Sequence, residues 1–195
     1  MAPFSCTDPD AAGQRQLLQI ARHSIDAGLA GGSASEVDSH SLADPLRAPR
    51  GAFVTLTLAQ ALRGCIGLME GRDPLAQTVA DSAWGAAFRD PRFPQLQASE
   101  APRVRIAISI LSPMMPLAVA SREQLLDSLR PGVDGLWLED GARRSTFLPQ
   151  VWEQRPSAPE FLPQLLLKAG LPADHGSPNL RLQRYYTVDF AEPEQ

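Results

Sequence analysis

The chain has 195 residues, 44% of them hydrophobic and 21% charged, with a net charge of −4. That balance belongs to a folded protein of one domain, or of one core with a smaller lobe, and argues against a general nucleic-acid-binding surface. No apolar run approaches the roughly 20 residues that span a bilayer, and the first ten residues lack the basic and apolar regions of a secretory signal. The expectation is a soluble, cytoplasmic protein. Its cations are 17 Arg and one Lys, which together with 18 Pro match the composition of a GC-rich genome. Those guanidinium groups acquire a binding role only where they cluster in space. Cys6 and Cys65 form neither a disulfide framework nor a zinc-ligand pattern, and no metal-ligating spacing of His, Cys and carboxylates occurs.

Residues 1–10 read as a flexible tail. Asp8-Pro9 offers an N-cap followed by proline at the first helical position, and Leu17, Ile20, Ala21 and Ile25 then recur at helical spacing up to Gly31-Gly32. Residues 33 to 50 read as a loop. Strand alternation runs through Phe53–Leu58, with Val54, Leu56 and Leu58 on one face, and a short reversal near Gln60 leads into a second strand over 62–68. Asp73-Pro74 repeats the cap-and-proline start. Leu75, Val79, Ser82, Ala83 and Ala86 then form a small-residue stripe suited to close helix packing, ended by Arg89-Asp90-Pro91-Arg92-Phe93-Pro94. Val104, Ile106, Ile108 and Ile110 alternate with polar or small residues in the clearest strand of the chain.

Ser121-Arg122-Glu123-Gln124 fits a capping box for a helix through Leu129. Asp140-Gly141 joins strands 135–139 and 144–147 in a hairpin. Ser157-Ala158-Pro159-Glu160 is a second capping box, for a helix stopped by Gly170, and Leu182, Arg184, Tyr186, Val188 and Phe190 predict one final strand before an acidic tail at 191–195. Helices and hairpins interspersed in this way give an α+β fold with a mixed or antiparallel sheet.

The chemistry concentrates in Leu62-Arg63-Gly64-Cys65-Ile66-Gly67. Glycine inside a strand weakens it, so Gly64 and Gly67 point to a close approach, by a ligand or by another segment. Cys65 reads as a small packed thiol, as a nucleophile activated by Arg63 on the same strand face, or as a ligand contact. Arg63 reads either as the partner of a carboxylate, Asp90 being the candidate, or as an anion clamp. Asp90 and Arg92 sit in a proline-stiffened loop that fits a rigid corner tied by their own interaction, or a holder of polar groups for a ligand. Thr146–Val151 reads as a core anchor, with Gln150 available for hydrogen bonding. Nucleotide-binding loops, the Gly-x-Ser-x-Gly elbow and zinc-protease helices are absent from the sequence.

Taken in order, several segments resemble the AMMECR domain family, also called protein A of the AmmeMemoRadiSam system. They are Pro49–Leu56, Leu62–Gly67, Asp90–Pro94, Ile108–Ser112, Gly132–Leu136, Thr146–Val151 and Lys168–Leu171. The resemblance covers about residues 11 to 190, read as a single domain with possible subdomains. It implies an α+β fold with a main lobe and a smaller one, and a cleft lined by the Arg-Gly-Cys strand. It also implies an association with a Memo-like protein and a radical S-adenosylmethionine enzyme. The short Ala59-Gln60-Ala61 reversal departs from the longer turn of many relatives. On this reading the chain is a binding or accessory component of a modification pathway. The alternative is an enzyme acting on a small anionic or acyl substrate, with Cys65 as nucleophile, Arg63 as clamp, and Gly64, Gly67, Asp90 and Arg92 as ligand contacts. Neither reading specifies a cofactor, and a small anionic ligand or a peptide would suit the cleft.

Overall fold

The computed structural model describes residues 8–118 and 121–194, so Cys6 and most of the expected N-terminal tail lie outside the described residues. Helix α1 (Ala11–Leu29) is capped by Asp10, whose carboxylate accepts a 2.8 Å hydrogen bond from the Gly13 N–H. The cap therefore falls two residues later than the Asp8 expected from the sequence. Asp8 is engaged elsewhere, accepting from Arg50 Nη1 at 2.7 Å. The segment expected to be a loop holds a 3₁₀ turn at Ser39–Ser41 and a short helix, α2 (Asp44–Arg47), with Pro45 near its start, where a missing N–H costs nothing. Strands β1 (Ala52–Leu58) and β2 (Ala61–Leu68) pair antiparallel. Their two-residue turn is unusual in placing non-glycine residues, Ala59 and Gln60, at positive φ (48° and 64°). Helix α3 (Leu75–Phe88) starts after Pro74 with no side-chain cap, so Asp73 does not serve as one. Strand β3 (Val104–Leu111) follows a 3₁₀ turn at Ala101–Arg103.

The next stretch builds a separate unit. A two-residue strand, β4 (Met115–Pro116), precedes α4 (Arg122–Ser128), where the Ser121 hydroxyl accepts from the Gln124 N–H as the capping box requires. Strands β5 (Gly135–Asp140) and β6 (Arg143–Phe147) form the expected hairpin, and a 3₁₀ turn at Pro149–Glu153 leads to α5 (Ala158–Lys168). The second capping box does not form. The Ser157 hydroxyl donates to the Glu160 carboxylate instead of accepting from the helix backbone. The predicted final strand is two strands, β7 (Arg181–Tyr185) and β8 (Thr187–Ala191), interrupted at Tyr186. The break has a local cause: the Tyr186 N–H donates to the Ser112 hydroxyl and the Tyr186 carbonyl accepts from the Ser112 N–H, so neither group is left for a ladder.

The chain divides into two compact units. One comprises the residues up to Leu111 together with those from Val188 onward, and the other is Ser112–Thr187. The first contains a sheet of order β2-β1-β3-β8, and the second a sheet of order β4-β7-β5-β6. In the first, Val54, Leu56, Ile106, Ile108 and Ile110 form a buried face against Leu17, Ala21 and Ile25 of α1 and Leu75, Val79, Ala83 and Ala86 of α3. Each large aliphatic side chain buried there contributes about 1.5–3 kcal/mol. The small-residue stripe of α3 is buried as the sequence predicts. The second unit centres on Trp152 stacked over Phe161 with ring centroids 3.9 Å apart, surrounded by Leu136, Leu138, Leu162 and Leu165. Trp152 Nε1 donates to the Asp134 carbonyl, which satisfies the indole in that core. In this unit Tyr185 is fully buried, and burial pushes its phenol up to about 12. Among the described residues, no helix is long and apolar enough to cross a membrane. The acidic tail begins later than expected, because β8 runs through Ala191 and the Glu192 carboxylate is held by Arg22 and the Ile106 N–H.

Candidate functional site

Strand β2 is an edge strand, and its pairing with β1 carries a bulge. Leu56 pairs with Gly64 and Thr57 with Leu62, which leaves Arg63 as the extra residue. A bulge bends a strand and re-aims a side chain. Here the Arg63 guanidinium is directed into the segment that follows α3. Nε and Nη2 donate at 2.9 Å to the two oxygens of Glu100, Nη1 donates to the Pro94 carbonyl at 2.9 Å, and Nη2 also donates to the Gln95 carbonyl at 3.3 Å. The residue is 8% exposed. The partner expected from the sequence, Asp90, is thus replaced by Glu100, because the bulge points the guanidinium past Asp90 toward the far end of the loop. Glu100 is lowered to about 2, chiefly by the Arg63 hydrogen bonds and then by the Gln97 N–H, and Arg63 is raised in turn by Glu100.

Asp90 takes a different role. It is 5% exposed, and its Oδ2 accepts from the Cys65 N–H at 2.8 Å. Both carboxylate oxygens accept from Arg92, at 2.9 Å from Nε and 2.7 Å from Nη2, so the tie between Asp90 and Arg92 expected from the sequence is present. The Arg92 guanidinium, followed by the two backbone N–H groups, holds the Asp90 carboxyl well below the usual carboxylate range. Arg92 Nη2 also donates to the Cys65 carbonyl at 3.2 Å. The proline-stiffened loop therefore occupies both backbone groups of Cys65, which the edge of the sheet would otherwise leave open.

The Cys65 side chain is partly exposed and accepts a 3.3 Å hydrogen bond to Sγ from the Thr55 hydroxyl, directly across the ladder. The cation brought to Cys65 is Arg92, whose own proton is held more tightly through Asp90 first and Cys65 after it; it is not Arg63, as the strand reading had it. All six residues singled out in the sequence lie along β2 and the loop after α3. No group of His, Cys and carboxylates among the described residues has the arrangement to hold a metal ion.

A model of the AMMECR1 family matches residues 18–190. The chain belongs to the AMMECR1 family. A protein of Methanothermobacter thermautotrophicus is 39% identical over 184 residues, covering 91% of this chain and 93% of its own. Protein NEQ441 of Nanoarchaeum equitans is 38% identical over 160 residues, covering 81% and 88%. The crystal structure of the uncharacterised protein PH0010 from Pyrococcus horikoshii superposes with a TM-score of 0.80 at 28% identity, covering 92% of this chain and 91% of that one.

Within this AMMECR1 chain both glycines of the signature admit another part of the same chain. A Cβ on Gly64 would lie 2.1 Å from the Ala86 carbonyl oxygen of α3, and one on Gly67 would lie 2.3 Å from the Ala52 carbonyl and 2.5 Å from the Phe53 ring. Of the two close approaches the sequence left open, the structure contains the segment-to-segment one. Two participants were missed. Glu100 lies in a stretch with no periodic pattern to mark it. Thr55 is identifiable as Cys65's neighbour only once the bulge is known, since an unbroken ladder from the Ala59-Gln60 turn would set Thr55 opposite Gly64.

Proposed function

We propose that this AMMECR1-family protein is a binding or accessory component of a modification pathway, working beside a Memo-like protein and a radical S-adenosylmethionine enzyme. Its docking face is the edge of β2 around Cys65. The observation that carries this reading is the use of charge at the motif. Arg63 commits four hydrogen bonds to Glu100, Pro94 and Gln95, and Asp90 commits its carboxylate to Arg92 and the Cys65 N–H. Those bonds fix the strand and loop as one rigid piece, which suits a surface that must keep its shape for a partner. Leu62 and Leu68, near the two ends of the same strand, are 44% and 52% exposed and supply apolar area along that edge. The test is capture of the two purified partner proteins by the full chain and by Leu62→Ser and Leu68→Ser variants. Both variants are expected to keep the parental melting temperature and lose most of the capture. Capture equal to that of the parent would refute the reading.

A second reading, catalysis on a small acyl or anionic substrate with Cys65 as nucleophile, is favoured by one observation. A half-exposed guanidinium, Arg92, donates to the carbonyl of the partly exposed Cys65, which sets an anion-binding group next to a nucleophilic side chain. The anion-clamp role of Arg63 is disfavoured by its existing bonds. Alkylation with a neutral reagent separates the two readings. A Cys65 rate no faster than that of a free thiol removes the nucleophile, and a faster rate that falls in Arg92→Gln supports it.

A further inference from the structure

The face of the first sheet that turns away from α1 and α3 carries Phe53, Thr55 and Thr57 along β1, and their cross-strand neighbours place Ser109, Ala107 and Arg105 beside them on β3. Thr57 lies two residues, about 7 Å, beyond the Thr55 that holds Cys65. There the surface opens into a cavity of about 460 Å³ lined by Thr57, Ala59, Gln60, Arg103, Arg105 and Glu194. Neither guanidinium forms an ion pair among the described residues. Arg105 uses Nε to donate to the Glu192 carbonyl at 2.7 Å and leaves both terminal nitrogens without a hydrogen bond there, and Arg103 is exposed. By contrast, Arg22, Arg50, Arg63 and Arg92 of the same unit each hold a carboxylate.

We propose that this cavity is a binding site for a small phosphoryl-bearing ligand. Two guanidinium forks supply the doubled charge and the planar donor geometry that a dianionic oxyanion takes better than a single carboxylate does. The Thr57 hydroxyl and the Gln60 amide add neutral donors at the wall, and the Ala59-Gln60 turn that carries Gln60 is held at positive φ. Glu194 shares the cavity without pairing to either arginine. Its carboxylate opposes an incoming anion and sets a lower affinity than the two cations alone would give. The site does not depend on what docks at β2, so either proposal stands or falls without the other.

Calorimetric titration of the full chain with sodium phosphate at constant ionic strength tests this, with sodium acetate and sodium chloride as matched titrants. Phosphate is expected to give one saturable site, acetate a weaker one and chloride none. Arg103→Gln, a change at an exposed side chain with no ion pair or side-chain hydrogen bond among the described residues, is expected to weaken phosphate binding about ten-fold, as loss of a charge-assisted hydrogen-bonded pair does. Glu194→Gln is expected to strengthen it about three-fold, a solvent-screened like-charge effect. Saturation by chloride equal to that by phosphate, or phosphate binding unchanged in Arg103→Gln and in Glu194→Gln, would overturn the assignment.

Discussion

Glu100→Gln isolates the charge of the Arg63–Glu100 pair while keeping its shape. In the native chain the two side chains are 10% and 20% exposed, joined by two 2.9 Å bonds, and Glu100 also accepts from the Gln97 N–H. Lowering the carboxyl from 4.5 to about 2 corresponds to about 3 kcal/mol of folded-state preference for the anion. Removing one partner of a deeply buried pair costs about 3–5 kcal/mol. With the carboxylate a fifth exposed, and glutamine still able to accept one of the arginine bonds, we expect about 2–3 kcal/mol. For a chain of this size that lowers the melting temperature by about 5–10 °C. The pH dependence supplies the sharper test. A carboxyl lowered on folding stabilises fully above its unfolded value of 4.5, and that stabilisation drains away as pH falls toward about 2. The melting gap between parent and variant, followed by circular dichroism, should therefore be constant from neutral pH down to about 5 and close below it. A gap of less than about 1 °C at pH 7, or one that persists unchanged to pH 2.5, refutes the reasoning.

Asp90→Asn should expose the edge of β2. With the Cys65 N–H losing its charged acceptor, its hydrogen exchange is expected to accelerate about ten-fold or more, a rise that a loop without a structural role would not produce. Gly64→Ala sets a Cβ 2.1 Å from a helix carbonyl that the α3 backbone fixes, so urea melts should show a loss of about 2 kcal/mol or more, the range of core overpacking. Gly67→Ala meets the Phe53 ring as well as a carbonyl, and Phe53→Ala in the same chain should recover part of its loss. In the second unit, Phe161→Ala removes a fully buried ring stacked on Trp152. The expected cost is about 3–5 kcal/mol, read as loss of near-ultraviolet tryptophan ellipticity at lower urea.

Much of the fold is legible where burial imposes a period. The alternation of β1 and β3, the stripe of α3 and the Asp140-Gly141 hairpin all follow from one face of each element meeting the core. The failures share a cause, which is hydrogen bonding that periodicity does not record. The even spacing from Leu182 to Phe190 hides an interruption made by Ser112, 74 residues away from Tyr186. In β7 the buried positions are Leu182 and Tyr185, three apart. Asp8 looks like a cap until Arg50 claims it. At the site, the residue types and their grouping were readable, but the partners were not. One extra residue in β2 turns Arg63 from Asp90 to Glu100 and sets Thr55 against Cys65. No spacing rule in a single sequence reveals a bulge.

The order of strands has a consequence for the chain during its synthesis. The sheet of the first unit is completed by β8, which is made after the whole of Ser112–Thr187. At ribosomal speeds of about 5–20 residues per second, the side of β3 that receives β8 waits for about 4–15 s after β3 has been made. During that interval most of the second unit, continuous in sequence, emerges behind it, while the N-terminal portion stays an unfinished sheet. A chain released before Val188 would therefore hold every strand of the second unit and lack the last strand of the first, and chaperones or proteases would meet its N-terminal portion in that state.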